Sequence, residues 1–180
     1  MSKEAGSGRA PVRLGVAFVP WANPPERLPE VARACDGVLD DLWVWEDCFT
    51  HGGLSSASAA LAVTTRLRVG LGLMPTPLRN VALTAMEIAT VQRMFPGRFA
   101  PGIGHGVQDW MAQVGAKPAS VLTLLDEYAT ALTALLHGDE VSVEGRYVRL
   151  RGVQLKYPPG PDEIGVMIGA AGPKSLELAG

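Results

Sequence analysis

Two carboxylates and one histidine of this 180-residue sequence stand where they could act on a bound ligand. Glu46 and Asp47 end the apolar run "DDLWVWED", and His105 stands between two glycines, which have no side chain to cover its imidazole. Positioned carboxylates and imidazoles transfer protons near neutral pH, and a carboxylate also accepts a hydrogen bond from a ligand N–H group. Two structural interpretations stay open: Asp47 as the cap of the following helix, and His105 as a hydrogen-bonded core histidine.

The end of the sequence contains a glycine-rich turn that could bind an anion. In "VMIGAAGPKSLELAG" an apolar run is followed by the turn 169–172, and Pro173 then opens a helical pattern. Glycines let backbone N–H groups approach a ligand, and a helix N-terminus adds unpaired donors with partial positive charge, so a phosphate group is the expected ligand. Lys174 would add positive charge. The alternative is a purely structural turn in which Pro173 occupies the first helical position.

The composition argues against several other classes of site. His51, His105 and His137 share no metal-ligand spacing with Cys35 and Cys48, so no metal site is predicted. The net charge of -2 comes without a basic cluster, which argues against nucleic-acid binding. No stretch approaches the roughly 20 apolar residues of a membrane helix. Two cysteines are too few for a disulfide framework, so a reduced, cytoplasmic protein is predicted.

Alternating strands and helices must position these residues. Five apolar runs lack the alternation of half-exposed strands and predict strands that are buried on both faces, at 12–20, 41–47, 66–75, 98–106 and 164–172. Four amphipathic segments predict helices at 24–35, 54–65, 82–95 and 120–137. Repeated strand–helix units force parallel pairing with right-handed crossovers, so the α/β candidates are a doubly wound sheet and a (β/α) barrel. In either architecture the site lies at the carboxyl ends of the strands.

Several local features refine this order of elements. Ser120 is a predicted N-cap of the longest helix, and Gly138 lies just past its end. The alternating residues of 141–155 predict a β-hairpin before the fifth strand. Pro101 is awkward in the fourth strand, because proline cannot donate to a ladder. Residues 1–11 are polar and glycine-rich, and they are predicted to form a flexible leader before a single domain over 12–180.

Taken together, these motifs make the sequence resemble the luciferase-like flavin oxidoreductases. Within that family it resembles the branch that uses the deazaflavin coenzyme F-420, including the methylene-tetrahydromethanopterin reductase type. The segments that carry the resemblance are, in order, "LWVWEDCF", "RLRVGLGLMPTPLRN", "IATVQRMFPGRF", "PGIGHGVQDWMAQVG", "LLDEYATALTALLHGDEVSVEGRYVRL" and "IGAAGPKSLELAG". The resemblance implies a (β/α)8 barrel of the TIM type, here about its first five βα units with the hairpin inserted before the fifth strand. It also implies a flavin-type ring at the strand ends and a homodimer.

The resemblance further implies roles for individual residues. Asp47 matches an acidic residue near the ring, and Leu73 and Met74 match a bulge of the third strand that often contains a non-proline cis peptide. His105 falls where the family often has a polar or acidic residue facing the substrate, and Gln108 falls near a cofactor-contacting amide. The residues that match the phosphate-binding turn are Gly169, Ala170, Ala171, Gly172 and Pro173, with Lys174 beside them. At Cys48 the sequence departs from the histidine of several members.

These roles imply an oxidoreductase that transfers hydride between coenzyme F-420 and a small organic substrate, while His105, Asp47 or Glu46 delivers or accepts the proton. Trp21 and Trp110 are predicted pocket walls. The alternative activity is an oxygen-using luciferase-like monooxygenase with FMN as its cofactor. Two further alternatives are a catalytically incomplete barrel fragment and a doubly wound nucleotide-binding domain, and the incomplete glycine fingerprint of "PGIGHGVQDW" argues against the latter.

Overall fold

The computed structural model describes residues 12–163 and 165–179, so the predicted leader 1–11 lies outside the described residues. A parallel sheet forms its centre, with the strands β1 Gly15–Ala17, β2 Asp41–Val44, β3 Arg68–Pro75, β4 Phe99–Gly104 and β7 Met167–Ile168. The strands neighbour one another in the order β1-β2-β3-β4-β7, with parallel pairing throughout. A doubly wound sheet reverses its strand order near the middle, whereas this order is sequential, as in a (β/α) barrel. The predicted α/β fold with five βα-type units is therefore confirmed as a partial barrel.

Helices connect the parallel strands and cover the outside of the sheet. They are α1 Leu28–Cys35, α2 Gly53–Ala62, α3 Val81–Met94, α4 Gln108–Gln113, α5 Val121–His137 and α6 Pro173–Ala179. The four helices predicted before the hairpin are confirmed, although a 3-10 turn at Pro25–Arg27 precedes α1 and the short α4 was not predicted. Among the residues that the model describes, no helix combines the length and apolar character needed to cross a bilayer.

The core lies between the central strands and helices α1, α2, α3 and α5. Ile88 of α3 and Leu125 and Leu132 of α5 are almost fully buried, and burying each such side chain contributes about 1.5–3 kcal/mol. Gly138 ends α5 with a φ of 87°, as predicted. Ser120 precedes the helix as predicted, but its hydroxyl lies 2.8 Å from the Thr123 hydroxyl and does not cap a backbone N–H group.

Pro101 lies inside β4, where every residue is buried. The register of β3 against β4 shifts between Leu71, which lies opposite Pro101, and Met74, which lies opposite Ile103. Two residues of β3 therefore face the single residue Gly102, which is a β-bulge. The proline, which has no N–H group to donate, is accommodated beside this irregularity.

The predicted hairpin is confirmed as a separate antiparallel pair, β5 Val141–Glu144 and β6 Arg149–Val153. Glu127 of α5 fastens it, because its carboxylate accepts hydrogen bonds from the N–H groups of Arg146, Tyr147 and Val148 at 2.9, 2.8 and 3.0 Å. These hydrogen bonds lower the pKa of Glu127, and the bond from Val148 has the largest effect. One ionised side chain thus joins α5 to three backbone groups of the hairpin turn.

Asp36 stabilises the amino-terminal end of the sheet. Its carboxylate accepts hydrogen bonds from the N–H groups of Thr65, Arg66 and Leu67, each at 2.8 Å, and so joins the loop before β2 to the loop before β3. These bonds, led by that from Thr65, lower the pKa of Asp36 to about 2. Since the folded pKa lies below the ordinary value of about 4, the stabilisation is present above about pH 4 and is lost as the pH falls through about 2.

We expect Asp36→Asn to lower the free energy of unfolding at pH 7 by about 1–2 kcal/mol, a value limited by solvent screening at this partly exposed position. As the pH falls from about 4 to 2 the variant and the parent should converge, because the parent carboxylate becomes protonated first in the unfolded chain and then, near its folded pKa of about 2, in the native protein. Urea denaturation across this pH range measures both effects. Asp126→Asn, on the exposed face of α5, is the control, and equal loss in both variants would contradict the assignment.

Candidate active site

A cavity of about 420 Å³ opens at the carboxyl ends of the parallel strands. The residues that line it follow β2, β4 and β7 or lie in the last part of β3: Glu46, Asp47, Gly72, Leu73, Pro75, His105, Gly106, Val107, Trp110, Gly169, Ala170 and Ala171. Residues distant in sequence therefore meet at one rim, because parallel strands all end on the same side of the sheet. Of the residues predicted for the site, this cavity brings together both carboxylates, Leu73, His105 and the first three residues of the glycine turn.

Asp47 is held by two tryptophans. Its Oδ2 atom accepts hydrogen bonds from Trp21 Nε1 at 3.0 Å and from Trp45 Nε1 at 3.1 Å. The Trp21 ring lies 6.2 Å from the ring of Trp110. Trp110 lines the cavity, whereas Trp21, which was predicted as a second wall, is 63% exposed and lies outside the lining. Since both indoles bind the same oxygen, Oδ1 receives neither of them and can accept a hydrogen bond from a ligand. The spacing of these residues in the sequence contains no signal for the two indole contacts.

Glu46 has partners for both of its oxygens. Oε2 accepts a hydrogen bond from the N–H group of Gly53 at 2.8 Å, and Oε1 lies 3.5 Å from Arg79 Nη1. Arg79 also pairs with Glu87 of α3. The interpretation of Asp47 as the cap of the following helix is therefore wrong, since its neighbour Glu46 binds the first N–H group of α2. Glu46 therefore borders the cavity, and its carboxylate is already paired with Arg79.

The bulge of β3 presents Leu73 to the cavity. The peptide bond between Gly72 and Leu73 is cis. The Leu73 side chain packs where side chains of Gly102, Gly104 and Gly169 would otherwise lie, since a Cβ atom at any of these glycines would overlap it. Met74, which was predicted together with Leu73, is 1% exposed and belongs to the core, so it does not line the cavity. The two neighbours differ because successive strand residues point to opposite sides.

His105 and Gln108 organise the loop after β4. His105 Nδ1 lies 2.7 Å from the Gly106 carbonyl oxygen, and since a carbonyl only accepts, we assign the ring proton to Nδ1. In the neutral ring Nε2 is then the proton acceptor. Gln108 Nε2 donates to the carbonyls of His105 and Gly106 at 3.0 and 3.3 Å. Gln108 lies outside the cavity lining and supports the loop that carries His105, so its predicted cofactor contact stays a prediction.

The glycine turn is closed by a serine that the sequence reasoning missed. Ser175 Oγ accepts hydrogen bonds from the N–H groups of Ala171 and Gly172 at 3.3 and 3.0 Å. These two groups were predicted to point at a phosphate, but here they bind a side chain of α6. Gly172, Pro173 and Lys174 are exposed and lie outside the cavity lining. A hydroxyl residue three positions after the last glycine is the signal that could have revealed this contact.

Cys48 is buried beside the two carboxylates and is a free thiol. Burial raises its pKa, and the negative charges of Glu46 and Asp47 raise it further. The thiol therefore stays protonated at neutral pH and is a poor nucleophile. It contributes packing at the position where the family resemblance led us to expect a histidine.

Comparison with known proteins agrees with this geometry. The family model described as "Luciferase-like monooxygenase" matches residues 9–180. A 5,10-methylenetetrahydromethanopterin reductase of Methanolobus tindarius is 29% identical over 169 residues, which are 93% of this chain and 51% of the relative. The corresponding reductase of Archaeoglobus fulgidus is 30% identical over 169 residues, with 93% of this chain and 50% of the relative covered. The chain thus spans about half the length of the curated relatives it matches.

A solved structure shows the same fold. The coenzyme F-420-dependent tetrahydromethanopterin reductase of Methanopyrus kandleri superimposes with a TM-score of 0.79 at 21% identity, over 94% of this chain and 53% of that one. At this identity the likeness shows the fold alone. Because the family model covers nearly the whole chain, the protein belongs to the luciferase-like monooxygenase family.

Proposed function

We propose that this chain carries the cofactor-facing half of an oxidoreductase site that transfers hydride between coenzyme F-420 and a small organic substrate. The observation that carries the proposal is the cavity at the strand ends, which joins Asp47, Leu73, His105 and the turn 169–171. The name of the solved structure, which includes coenzyme F-420, supports the choice of cofactor, and the names of the two reductases support an oxidoreductase. When bound, the deazaflavin ring supplies the hydride chemistry, and the protein supplies binding, orientation and electrostatics.

The lining of the cavity fits a flat ring with polar edges. Leu73 and Trp110 give apolar walls, and Asp47 Oδ1 gives an acceptor that the two indoles leave unoccupied. Gly169 has no room for a side chain beside Leu73, so backbone borders the cavity directly at the turn. These features suit a ring that presents an N–H group to Asp47 and rests against the bulge.

Each proposed site residue then has one task. Asp47 accepts the ring N–H, Leu73 supports the ring, and His105 Nε2 accepts or delivers the proton that accompanies hydride transfer. Glu46 positions Arg79 and the start of α2. The turn binds the phosphate group of the cofactor, and it consists of Gly169, Ala170, Ala171, Gly172 and Pro173 with Lys174 beside them. This binding requires that Ser175 release the N–H groups of Ala171 and Gly172.

Parallel titrations with coenzyme F-420 and FMN, followed by absorbance and fluorescence, test the cofactor. We expect saturable binding of coenzyme F-420, and a loss of affinity of about tenfold in Asp47→Asn, because an amide whose oxygen stays on the two indoles turns its NH2 donor toward the ligand N–H group and the charge-assisted hydrogen bond is lost. Binding of FMN alone would overturn the choice of deazaflavin. Binding of neither cofactor would favour the incomplete fragment, a possibility consistent with the half-length match to the curated relatives.

Gly169→Ala tests the contact between the turn and the bulge. A Cβ atom there would overlap Leu73 Cδ1, so the leucine must shift at the cavity wall. Such overpacking costs about 1–3 kcal/mol, and we expect cofactor affinity to fall about tenfold. Gly165→Ala is the matched control, since its Cβ atom would have no neighbour within 4 Å. Unchanged affinity in Gly169→Ala would place the cofactor elsewhere.

A luciferase-like monooxygenase that uses FMN and oxygen is the second candidate function. The description of the matched family favours it, since that description names a monooxygenase. Oxygen consumption with reduced FMN distinguishes it from anaerobic hydride transfer with coenzyme F-420. A dominant oxygen-dependent reaction would replace the first proposal.

We also propose a cytoplasmic homodimer that acts on a small molecule. Helix α3 supports the dimer because Leu83, Met86 and Met94 are exposed on it, at 46, 56 and 55%. Large apolar side chains exposed on one helix commonly mark a contact with another protein. Light scattering coupled to size exclusion measures the assembly, and a monomer at all concentrations would exclude the dimer.

A further inference from the structure

A second cavity, of about 500 Å³, lies beside the candidate active site and shares no lining residue with it. It is enclosed by the 3-10 turn Thr76–Leu78, by α5 and by the turn of the hairpin. Its polar lining side chains include Thr76, Arg79, Lys117, Tyr128, Tyr147 and Arg149. Thr76 directly follows Pro75, which borders the first cavity, so the two cavities lie on either side of the end of β3.

The charge of this second cavity is positive. Arg79, Lys117 and Arg149 line it, and none of its described lining residues is acidic. Arg79 is neutralised by Glu46 and Glu87. Lys117 and Arg149 form no ion pair within the described part of the chain. Two uncompensated cations therefore face the same space.

A buried hydroxyl without a partner borders the same cavity. Thr76 is 2% exposed, and its Oγ1 atom has no hydrogen-bond partner among the described residues. A buried polar group in this state costs stability unless a ligand or a water molecule satisfies it. Thr76 thus offers an unused donor at the wall of a positively charged cavity.

The two tyrosines differ in what they can offer. Tyr147 accepts a hydrogen bond from the N–H group of Ser120 at 2.6 Å, which leaves its own proton free to donate. Tyr128 donates to Thr84 Oγ1 at 2.6 Å, and burial raises its pKa to about 12, so it stays neutral with its proton engaged. The available donors are therefore the hydroxyls of Thr76 and Tyr147 and the cations Lys117 and Arg149.

We propose that this second cavity binds an oxyanion, a phosphate or carboxylate group, through Lys117, Arg149 and the hydroxyls of Thr76 and Tyr147. Cations and hydroxyl donors without an opposing carboxylate complement such a group and disfavour cations. Glu127 maintains the site, because it fastens the hairpin turn that carries Tyr147 beside α5. The site does not depend on the oxidoreductase function proposed above.

Calorimetric and thermal-shift titrations with orthophosphate and with succinate, at constant ionic strength, test the site. We expect saturable binding of at least one anion, weakened roughly tenfold in Lys117→Gln and in Arg149→Gln, because each removes one charge-assisted contact. Arg151→Gln removes an equal charge two residues along β6, outside the lining, and should leave the affinity within about twofold. Equal weakening in Arg149→Gln and Arg151→Gln, or no saturable binding of either anion, overturns the proposal.

Thr76→Val separates ligand binding from folding. Without anion the variant should melt at the parent temperature or above it, because it removes an unsatisfied hydroxyl of similar shape. With anion present, the variant should show little of the rise in melting temperature that the anion causes in the parent. An undiminished rise in Thr76→Val overturns the role of the hydroxyl, and if this variant does not fold, the Lys117 and Arg149 variants decide alone.

Competition with the cofactor identifies the source of the anion. If saturating coenzyme F-420 displaces orthophosphate from the second cavity, the oxyanion belongs to a molecule that extends from the candidate active site. If both bind together, the ligand is a separate small anion. Both results support the site, and its failure leaves the cofactor titrations above unaffected, so the two proposals are tested separately.

Discussion

Replacing His105 with glutamine should reduce the rate of hydride transfer about 10²- to 10³-fold while coenzyme F-420 affinity changes by no more than about threefold. Glutamine can still bond to the Gly106 carbonyl, as His105 Nδ1 does at 2.7 Å, so the loop should keep its shape. It has no group that exchanges a proton near neutral pH. The loss should therefore appear in kcat and not in cofactor binding.

The measurement is anaerobic oxidation of reduced coenzyme F-420 with a panel of electron acceptors, combined with a binding titration of the same variant. His137→Gln is the matched control, because His137 lies in the last turn of α5, is exposed and does not line the first cavity. It should leave the rate within about twofold of the parent. A rate within threefold of the parent in His105→Gln would remove the histidine from the proposed proton transfer.

Replacing Arg79 with methionine should lower the free energy of unfolding by about 2–4 kcal/mol. Arg79 is only 16% exposed and pairs with Glu46, which is 14% exposed, and with Glu87, which is 36% exposed. Removing the cation leaves the carboxylate of Glu46 without its charge partner in a largely buried place. Solvent reduces the contribution of Glu87, so the estimate lies below that for a fully buried triad.

Urea denaturation measures this loss, and Arg33→Met on the exposed face of α1 is the control, with an expected change below about 0.5 kcal/mol. The double variant Arg79→Met with Glu46→Gln should recover part of the stability, because it removes the unpaired charge. If the double variant loses more free energy of unfolding than the two single variants lose together, the unpaired charge of Glu46 is not the cause of the loss in Arg79→Met.

Most of the fold could be predicted because it depends on local periodicity. The apolar stripe of α5 and the glycine after it fixed that helix to within one residue, and the alternation over 141–155 revealed the hairpin. The strand ends were less predictable: the run 12–20 forms a strand only at Gly15–Ala17, because a strand extends only as far as its neighbour pairs with it. The carboxyl-end rule predicted one rim for Asp47, His105 and the turn, and the family resemblance added Leu73.

The tertiary structure alone decided which atom each site residue uses. Glu46 and Asp47 are neighbours in sequence, yet one binds α2 and Arg79 while the other accepts two indole N–H groups. Met74 lies in the core while Leu73 lines the cavity. Ser175 Oγ accepts hydrogen bonds from N–H groups that were predicted to bind a phosphate. The order of elements follows from the spacing of apolar residues along the chain, whereas hydrogen-bond partners depend on distances of about 3 Å between residues far apart in sequence, which only the packed fold sets.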